Sequence, residues 1–223
     1  MLQTYKEQGF IHLKNVIDSE LLEYTRDLAI QMKYKYISSV GQSRDWGTGV
    51  FWAGFEMASK LDPKLFDSYT CPLMYELSST LLETKNPYLF NDQVVVKLPG
   101  EGFTFEAHYD NQYGPDPEAA ASGKYKTVNI SWILNDMPTE TGPLICQNLK
   151  TGEYEEIIAE AGDVVAIEGN TLHGSNQNVS NNIRGLYACV YSTHPIGNYH
   201  NNPNYPYPNF KGFYNEKFPK IQS

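Results

Sequence analysis

The chain has 223 residues, a length that one domain with a single hydrophobic core accommodates. Hydrophobic residues make up 41% and charged residues 19%, a globular balance that excludes a disordered chain. Its 26 acidic residues exceed the 17 Lys and Arg, which disfavours nucleic acid and anionic lipid because both need a basic face. We therefore expect one domain over residues 1–223, binding neither nucleic acid nor a membrane.

The chain carries no sign of export or of membrane insertion. Its first ten residues have neither the charged start nor the apolar run of a signal peptide. No stretch approaches the ~18 consecutive apolar residues of a membrane span. Cys71, Cys146 and Cys189 share no motif spacing and are interpreted as reduced thiols of a cytoplasmic protein. The oligomeric state stays open.

The first part of the chain predicts one short strand and two helices. Apolar residues at Gly9–Leu13 form the strand, and Asp18 then suits the N-cap of a helix whose apolar face extends to Met32. A second helix is predicted from Pro72 to Leu82. The intervening Ser38–Gly54 is rich in Gly and Ser yet carries two tryptophans, so it is either an ordered loop or a plain surface excursion.

From Phe90 onward the pattern changes to short β runs separated by Gly, Pro and Asn. These runs are rich in Val, Ile and aromatic residues, as strands usually are. They cover Gln93–Leu98, Phe103–Tyr109, Thr127–Leu134, Gly162–Ile167 and Leu186–Ser192. Strands at this density after helices predict a mainly β domain, in which helices flank a β-sandwich or barrel.

Two histidines and one aspartate form the candidate metal site. His108 and Asp110 are two residues apart at the end of a predicted strand, so both side chains point to the same side. His173 follows another apolar strand, in a predicted loop, and is the best third ligand. Two His and one carboxylate leave open positions that suit non-haem iron(II). The other three histidines are interpreted as surface or packing residues: His12, His194 and His200.

Arg184 lies eleven residues after His173 and begins the next predicted strand. Its planar guanidinium can bind a carboxylate through two parallel hydrogen bonds. 2-Oxoglutarate presents such a carboxylate at the end opposite its metal-chelating oxoacid. The alternative for an isolated arginine is an ordinary surface salt bridge.

Five segments, in order, resemble the phytanoyl-CoA dioxygenase family of iron(II)/2-oxoglutarate oxygenases. They include the ligand pair, a turn that the family usually reads as Asn-Gly-x-Leu, and the segment around the second histidine. The segments are residues 5–18, 92–100, 108–110, 135–144 and 173–184. The resemblance implies a double-stranded β-helix (jelly-roll) core with flanking helices, and a site that uses Fe(II), 2-oxoglutarate and O2.

The resemblance also implies further contacts to 2-oxoglutarate. Ser175 matches a family position whose hydroxyl helps to hold this cosubstrate. Gln93 and Ser131 fall at or near other contact positions, although a one-residue gap makes Ser131 exchangeable with Trp132. For Gln93 and Ser131, ordinary strand residues are an equally good interpretation.

The chain departs from the family at residues 145–149, where Ile-Cys-Gln-Asn-Leu replaces the usual Pro-Gly-Ser-His. Halogenating relatives lack the ligand carboxylate, so the presence of Asp110 favours hydroxylation. The polar Asn111, Gln112 and Tyr113 predict hydrogen bonds at the pocket mouth and a small polar substrate. The alternative function is that of a metal-binding jelly roll of cupin type, an isomerase or a sensor.

Overall fold

The computed structural model describes residues 1–40, 51–52, 64–101, 104–113 and 117–194. Trp46 and the side chain of Trp52 in the predicted 38–54 segment, and the side chains of Gln112 and Tyr113 at the predicted pocket mouth, lie outside the described residues. The predictions that concern these side chains therefore stay predictions.

Four of the five helices in the described residues share one core with the strands, and the fifth packs in a separate small cluster. Asp18 caps the long second helix as predicted, because its Oδ1 accepts hydrogen bonds from the backbone N–H groups of Glu20 at 3.0 Å and Leu21 at 3.2 Å. This helix takes up the first residues of the predicted 38–54 loop. The helices are α1 (Leu2–Gln8), α2 (Ser19–Val40), α3 (Leu65–Tyr69), α4 (Pro72–Leu81) and α5 (Pro117–Ala121).

The strands form two sheets in which every pairing among the described residues is antiparallel. The major sheet has the order β1-β8-β5-β10-β3-β2, and the minor sheet has the order β4-β9-β6-β7. The major strands are β1 (Phe10–Leu13), β2 (Phe51–Trp52), β3 (Tyr88–Lys97), β5 (Thr127–Ile133), β8 (Val164–Glu168) and β10 (Arg184–Ser192). The minor strands are β4 (Phe105–His108), β6 (Leu144–Gln147), β7 (Tyr154–Ile157) and β9 (His173–Ser175).

Strands β3, β5, β8 and β10 of the major sheet are buried on both of their faces. Alternate residues of β10 belong to different cores, since side chains alternate along a strand. Tyr187, Cys189 and Tyr191 join the core beneath the helices, which also contains Leu28 and Met74. We call this side of the sheet the outer face. Leu186 joins a second core with residues of the minor sheet, and we call that side the inner face.

The prediction that His173 lies in a loop is wrong. His173 begins β9, where it is paired with His108 of β4 on one side and with Cys146 of β6 on the other. A Cβ on Gly174 would lie 2.5 Å from the carbonyl oxygen of Phe105, so a glycine allows β4 and β9 to approach each other. The segment that departs from the family pattern forms most of β6 and the turn after it.

No helix in the described parts of the chain is long and apolar enough to cross a membrane. The three cysteines are free thiols, and Cys146 and Cys189 are buried. His12 binds Asp163 at 2.7 Å in a contact between the first strand and the turn before β8, which fits its interpretation as a packing residue.

Candidate metal and cosubstrate site

The three predicted metal ligands converge between the two sheets. The Nε2 atoms of His108 and His173 lie 3.8 Å and 3.5 Å from Oδ1 of Asp110. One ligand atom from each residue lies within 4.8 Å of the other two, so a single ion can bind all three. The cross-strand pairing of His108 with His173 brings their rings to a centroid distance of 4.6 Å.

Backbone carbonyls orient both imidazole rings. Nδ1 of His108 is 2.7 Å from the carbonyl oxygen of Glu106, and Nδ1 of His173 is 2.9 Å from that of Thr171. A hydrogen on each Nδ1 leaves the Nε2 lone pair toward the common centre, the arrangement that metal-bound histidines use. Burial and the neighbouring His173 hold the pKa of His108 below its usual value, which favours the neutral imidazole that binds metals.

Asn129 of β5 orients the carboxylate ligand. Its Nδ2 donates to Oδ2 of Asp110 at 2.9 Å, and its Oδ1 accepts from the hydroxyl of Ser131 at 3.0 Å. Asp110 therefore keeps Oδ1 directed toward the histidines. The sequence analysis missed Asn129, although its position two residues before Ser131 on the same strand places both side chains on one face.

Arg184 is completely buried at the start of β10, which excludes the surface salt bridge considered above. None of its three guanidinium nitrogens has a hydrogen-bond partner among the described residues. Burial lowers its pKa to about 9, so the side chain still carries its charge at neutral pH. A buried cation without a partner among the described residues is costly, and the site is therefore suited to bind an anion.

One cavity of the described structure brings together all seven residues that the sequence analysis selected. It is lined by the three metal ligands, and by Gln93, Ser131, Ser175 and Arg184. Gln93 and Ser131 both lie opposite Ala188 of β10, so the small alanine leaves room between two polar side chains. Trp132 points to the outer face, where its Nε1 donates to the sulfur of Met74 at 2.9 Å. This orientation selects Ser131 over Trp132 as the residue facing the cavity.

The hydroxyl of Ser131 donates to Asn129, so its oxygen is left only to accept hydrogen bonds from a ligand. A carboxylate cannot donate one. The direct contact between Ser131 and 2-oxoglutarate that the resemblance implies therefore stays a prediction, and the observed contact supports Asp110 instead.

Lys97 is a second buried cation that the sequence analysis did not select. It ends β3 directly opposite Arg184, and its ammonium lies 2.8 Å from Oγ of Ser175. A lysine in the apolar run Val94–Lys97 was a visible signal. The pairing of Lys97 with Arg184 was not visible, because the register of β3 against β10 cannot be read from the sequence.

Asn111 does not line the cavity, contrary to its predicted place at the pocket mouth. Its Oδ1 accepts from the hydroxyl of Thr127 at 2.7 Å, and its Nδ2 donates to Asn170 at 2.8 Å. The side chain is 5% exposed and fixes the turn that follows Asp110. The polarity of this segment therefore serves the fold at Asn111.

These residues fit iron and 2-oxoglutarate. His108, Asp110 and His173 provide two nitrogens and one oxygen, a donor set suited to iron(II) with open positions. The unpartnered Arg184 provides the complement of a carboxylate in the same cavity.

Comparison with known proteins gives one family and many similar structures. The sequence model of the phytanoyl-CoA dioxygenase (PhyH) family matches residues 5–186. No similar protein was found among the curated proteins.

Three solved structures illustrate the fold. SnoK, a non-haem alpha-ketoglutarate-dependent carbocyclase from nogalamycin biosynthesis, is 20% identical with a TM-score of 0.70, covering 86% of this chain and 82% of SnoK. The epimerase SnoN in complex with Fe3+, alpha-ketoglutarate and nogalamycin RO is 17% identical with a TM-score of 0.70, covering 93% and 92%. EctD from S. alaskensis with 2-oxoglutarate and 5-hydroxyectoine is 14% identical with a TM-score of 0.70, covering 85% and 74%. The predicted double-stranded β-helix with flanking helices is confirmed.

Proposed function

Because the chain belongs to the phytanoyl-CoA dioxygenase family, we propose that it hydroxylates an unactivated C–H bond of a small polar molecule, an amino acid or a small organic acid. Family membership confirms the predicted use of iron(II), 2-oxoglutarate and O2 in oxygenase-type chemistry. The hydroxylation, its substrate class and the release of succinate and CO2 are the proposal. We also propose that residues 1–223 act as one cytoplasmic domain, in keeping with the three free thiols.

The observation that carries the proposal is the completely buried Arg184, which has no hydrogen-bond partner among the described residues and lines the same cavity as the metal ligands. A charge-assisted pair with the far carboxylate of 2-oxoglutarate would remove the penalty of burying it alone. The hydroxyl of Ser175 lines the cavity from β9 and would donate to the same carboxylate.

In this proposal each residue of the site has a role. His108, Asp110 and His173 hold the metal, and Asn129 orients the carboxylate of Asp110. The bound iron and 2-oxoglutarate supply the oxidation of the C–H bond, which is chemistry that protein side chains do not provide. The chain positions the substrate and excludes water, and no further general acid or base is required.

Asp110 supports hydroxylation over halogenation because its carboxylate occupies the position that a halide would need. A small polar substrate is supported by Gln93, which brings an amide group to the cavity wall beside apolar Val95 and Ile167.

The alternative is a metal-binding jelly roll of cupin type without oxygenase activity. Nothing in a site that only binds metal requires a buried arginine in the same cavity. Such a protein would bind metal through the same three residues, yet it would have no need of 2-oxoglutarate.

The test is succinate release from 2-oxoglutarate in the presence of iron(II), ascorbate and O2, with amino acids and small organic acids screened for stimulation. We expect one such compound to stimulate release and to gain one oxygen atom in the product. Metal binding without any succinate release would support the cupin-type alternative. Stimulated release with a product that gains no oxygen would contradict hydroxylation, and stronger stimulation by fatty acyl-CoA would contradict the substrate class.

A further inference from the structure

Lys97 lies beside the proposed carboxylate site but does not line the cavity itself. Its side chain is completely buried, and cross-strand partners such as Lys97 and Arg184 project from the same face of an antiparallel sheet. Asn178 ties this region together, since its Nδ2 donates to the carbonyl oxygens of Lys97 at 3.3 Å and Leu98 at 3.1 Å. The end of β3 and the segment that joins β9 to β10 are thus fixed against each other.

The ammonium of Lys97 approaches two oxygens of the β9 end. It donates to Oγ of Ser175 at 2.8 Å and to the carbonyl oxygen of Asn176. The ring of Phe105 covers it, with the ring centroid 5.6 Å from Nζ. A protonated lysine has hydrogens and no acceptor, so a hydroxyl that accepts from it must direct its own hydrogen elsewhere. Ser175 also lines the cavity, so its hydroxyl hydrogen would then point toward a ligand bound there.

Lys97 lies near one like charge and one opposite charge among the described residues. Arg184 faces it from β10 and repels it, whereas Glu101, in the segment after β3, attracts it. Glu101 is itself engaged by Lys33 of α2 at 2.8 Å. Burial and the repulsion from Arg184 outweigh the attraction to Glu101 and lower the pKa of Lys97 to about 6. A carboxylate bound to Arg184 would offset this repulsion and raise the pKa of Lys97.

We propose that Lys97 is a positioning residue for 2-oxoglutarate, which gains a proton when the far carboxylate binds and then holds the hydroxyl of Ser175 as a donor to it. This inference rests on the proposed function, because it assigns that carboxylate to Arg184. Lys97 acts through Ser175 and through its charge, without touching the cosubstrate.

The proposal fixes the direction of a pH dependence. A group whose pKa is higher in the complex than in the free protein favours binding below its free pKa, and the advantage is lost as the pH rises toward its bound pKa. The dissociation constant for 2-oxoglutarate should therefore rise above pH ~6, by up to ~10-fold per pH unit. Near pH 7.5, binding should take up about one proton per cosubstrate.

Calorimetric titration of 2-oxoglutarate into the Mn(II)-loaded protein, without O2, measures both quantities. Repeating it in buffers with different ionisation enthalpies gives the number of protons taken up. Lys97→Met should abolish the uptake and flatten the pH profile of binding. Ser175→Ala should keep the uptake while weakening binding by about 2- to 10-fold. Lys150→Met is the matched control, because it removes a lysine that pairs with Glu7 at the surface.

Three outcomes would overturn the inference: a wild-type protein that binds without proton uptake, uptake that persists in Lys97→Met, or uptake that disappears in Lys150→Met. A melting curve would reveal whether Lys97→Met folds. If it does not, the dependence of the binding enthalpy on the buffer, measured in the wild type and in Ser175→Ala, still tests whether binding takes up a proton. Absence of any 2-oxoglutarate binding by the wild type would overturn the proposed function, and this inference with it.

Discussion

The two faces of the major sheet differ in how the large polar side chains of β10 are paired. On the outer face, the hydroxyl of Tyr187 donates to Asp92 at 2.7 Å, and that of Tyr191 donates to the carbonyl oxygen of Tyr69 at 2.6 Å. On the inner face, Arg184 is buried without any hydrogen-bond partner among the described residues. Tyr187, Tyr191 and Arg184 all belong to one strand, β10.

This difference separates what stabilises the fold from what prepares it for a ligand. Paired polar groups in a core contribute modestly to stability and are costly to break. An unpaired cation destabilises the free protein and is compensated only when its anion binds. Substitutions on the outer face should therefore lower stability, whereas substitutions on the inner face should mainly lower ligand binding and activity.

The largest expected effect comes from the metal ligands. Replacing His108, Asp110 or His173 with Ala should reduce iron-dependent succinate release to background, because each removes one of three bonds to the metal. The far-ultraviolet circular dichroism should stay that of the wild type, since these side chains line a cavity. A variant with wild-type turnover would refute the assignment of that ligand.

Arg184→Ala should raise the 2-oxoglutarate concentration needed for half-maximal rate by about 10- to 150-fold, the loss of a charge-assisted hydrogen bond worth ~1.5–3 kcal/mol. Arg184→Lys should recover only part of the lost affinity for 2-oxoglutarate, because an ammonium cannot form two parallel hydrogen bonds to a carboxylate. The measurement is the initial rate of succinate release against 2-oxoglutarate concentration. Wild-type requirements in both variants would mean that another residue holds the carboxylate.

Asn129→Ala should weaken metal binding by about 10- to 100-fold, the usual effect of losing a group that orients a ligand. The amide contacts Asp110 and not the metal, so high iron concentrations should restore much of the turnover. Titration with Mn(II) followed by succinate assays at rising Fe(II) would measure both. Unchanged metal affinity would show that Asp110 is oriented without this amide.

On the outer face, Tyr187→Phe should lower the free energy of unfolding by about 1–3 kcal/mol, because the buried carboxylate of Asp92 loses the hydrogen bond from this hydroxyl. The 2-oxoglutarate requirement should not change. Chemical denaturation and the succinate assay together give the two values. A variant with full stability and impaired cosubstrate binding would reverse the contrast between the faces.

The sequence predicted the strongly patterned parts of the chain well. The Asp18 cap, the helix from Pro72, and the apolar strands of the major sheet lie within a few residues of their predicted positions, except that β3 begins five residues early, at Tyr88. Their signals are local, since a capping side chain and a run of β-branched residues need no knowledge of distant partners. His108 and Asp110 could also be selected from a local signal, because they lie two residues apart at the end of a predicted strand.

Features that depend on pairing between distant segments were not predicted. Strand β7 (Tyr154–Ile157) is mostly exposed and polar, and β9 is only three residues long, so neither has a visible pattern. Lys97 and Asn129 became functional candidates only through the register of β3 and β5 against β10 and the approach of Asp110. Each has an ordinary sequence context, and its meaning comes from a side chain far away along the chain.

The most direct test of the account is the thermal stability of Arg184→Met compared with the wild type, both loaded with Mn(II) and measured with and without 2-oxoglutarate. A bound cosubstrate at a hundredfold excess over its dissociation constant should stabilise the wild type by about 2.7 kcal/mol. Without cosubstrate, the account predicts that Arg184→Met is at least as stable as the wild type, because a buried unpaired cation is gone, and that 2-oxoglutarate stabilises it far less. A less stable variant that 2-oxoglutarate stabilises as much as the wild type would contradict the assignment of Arg184 to the cosubstrate carboxylate.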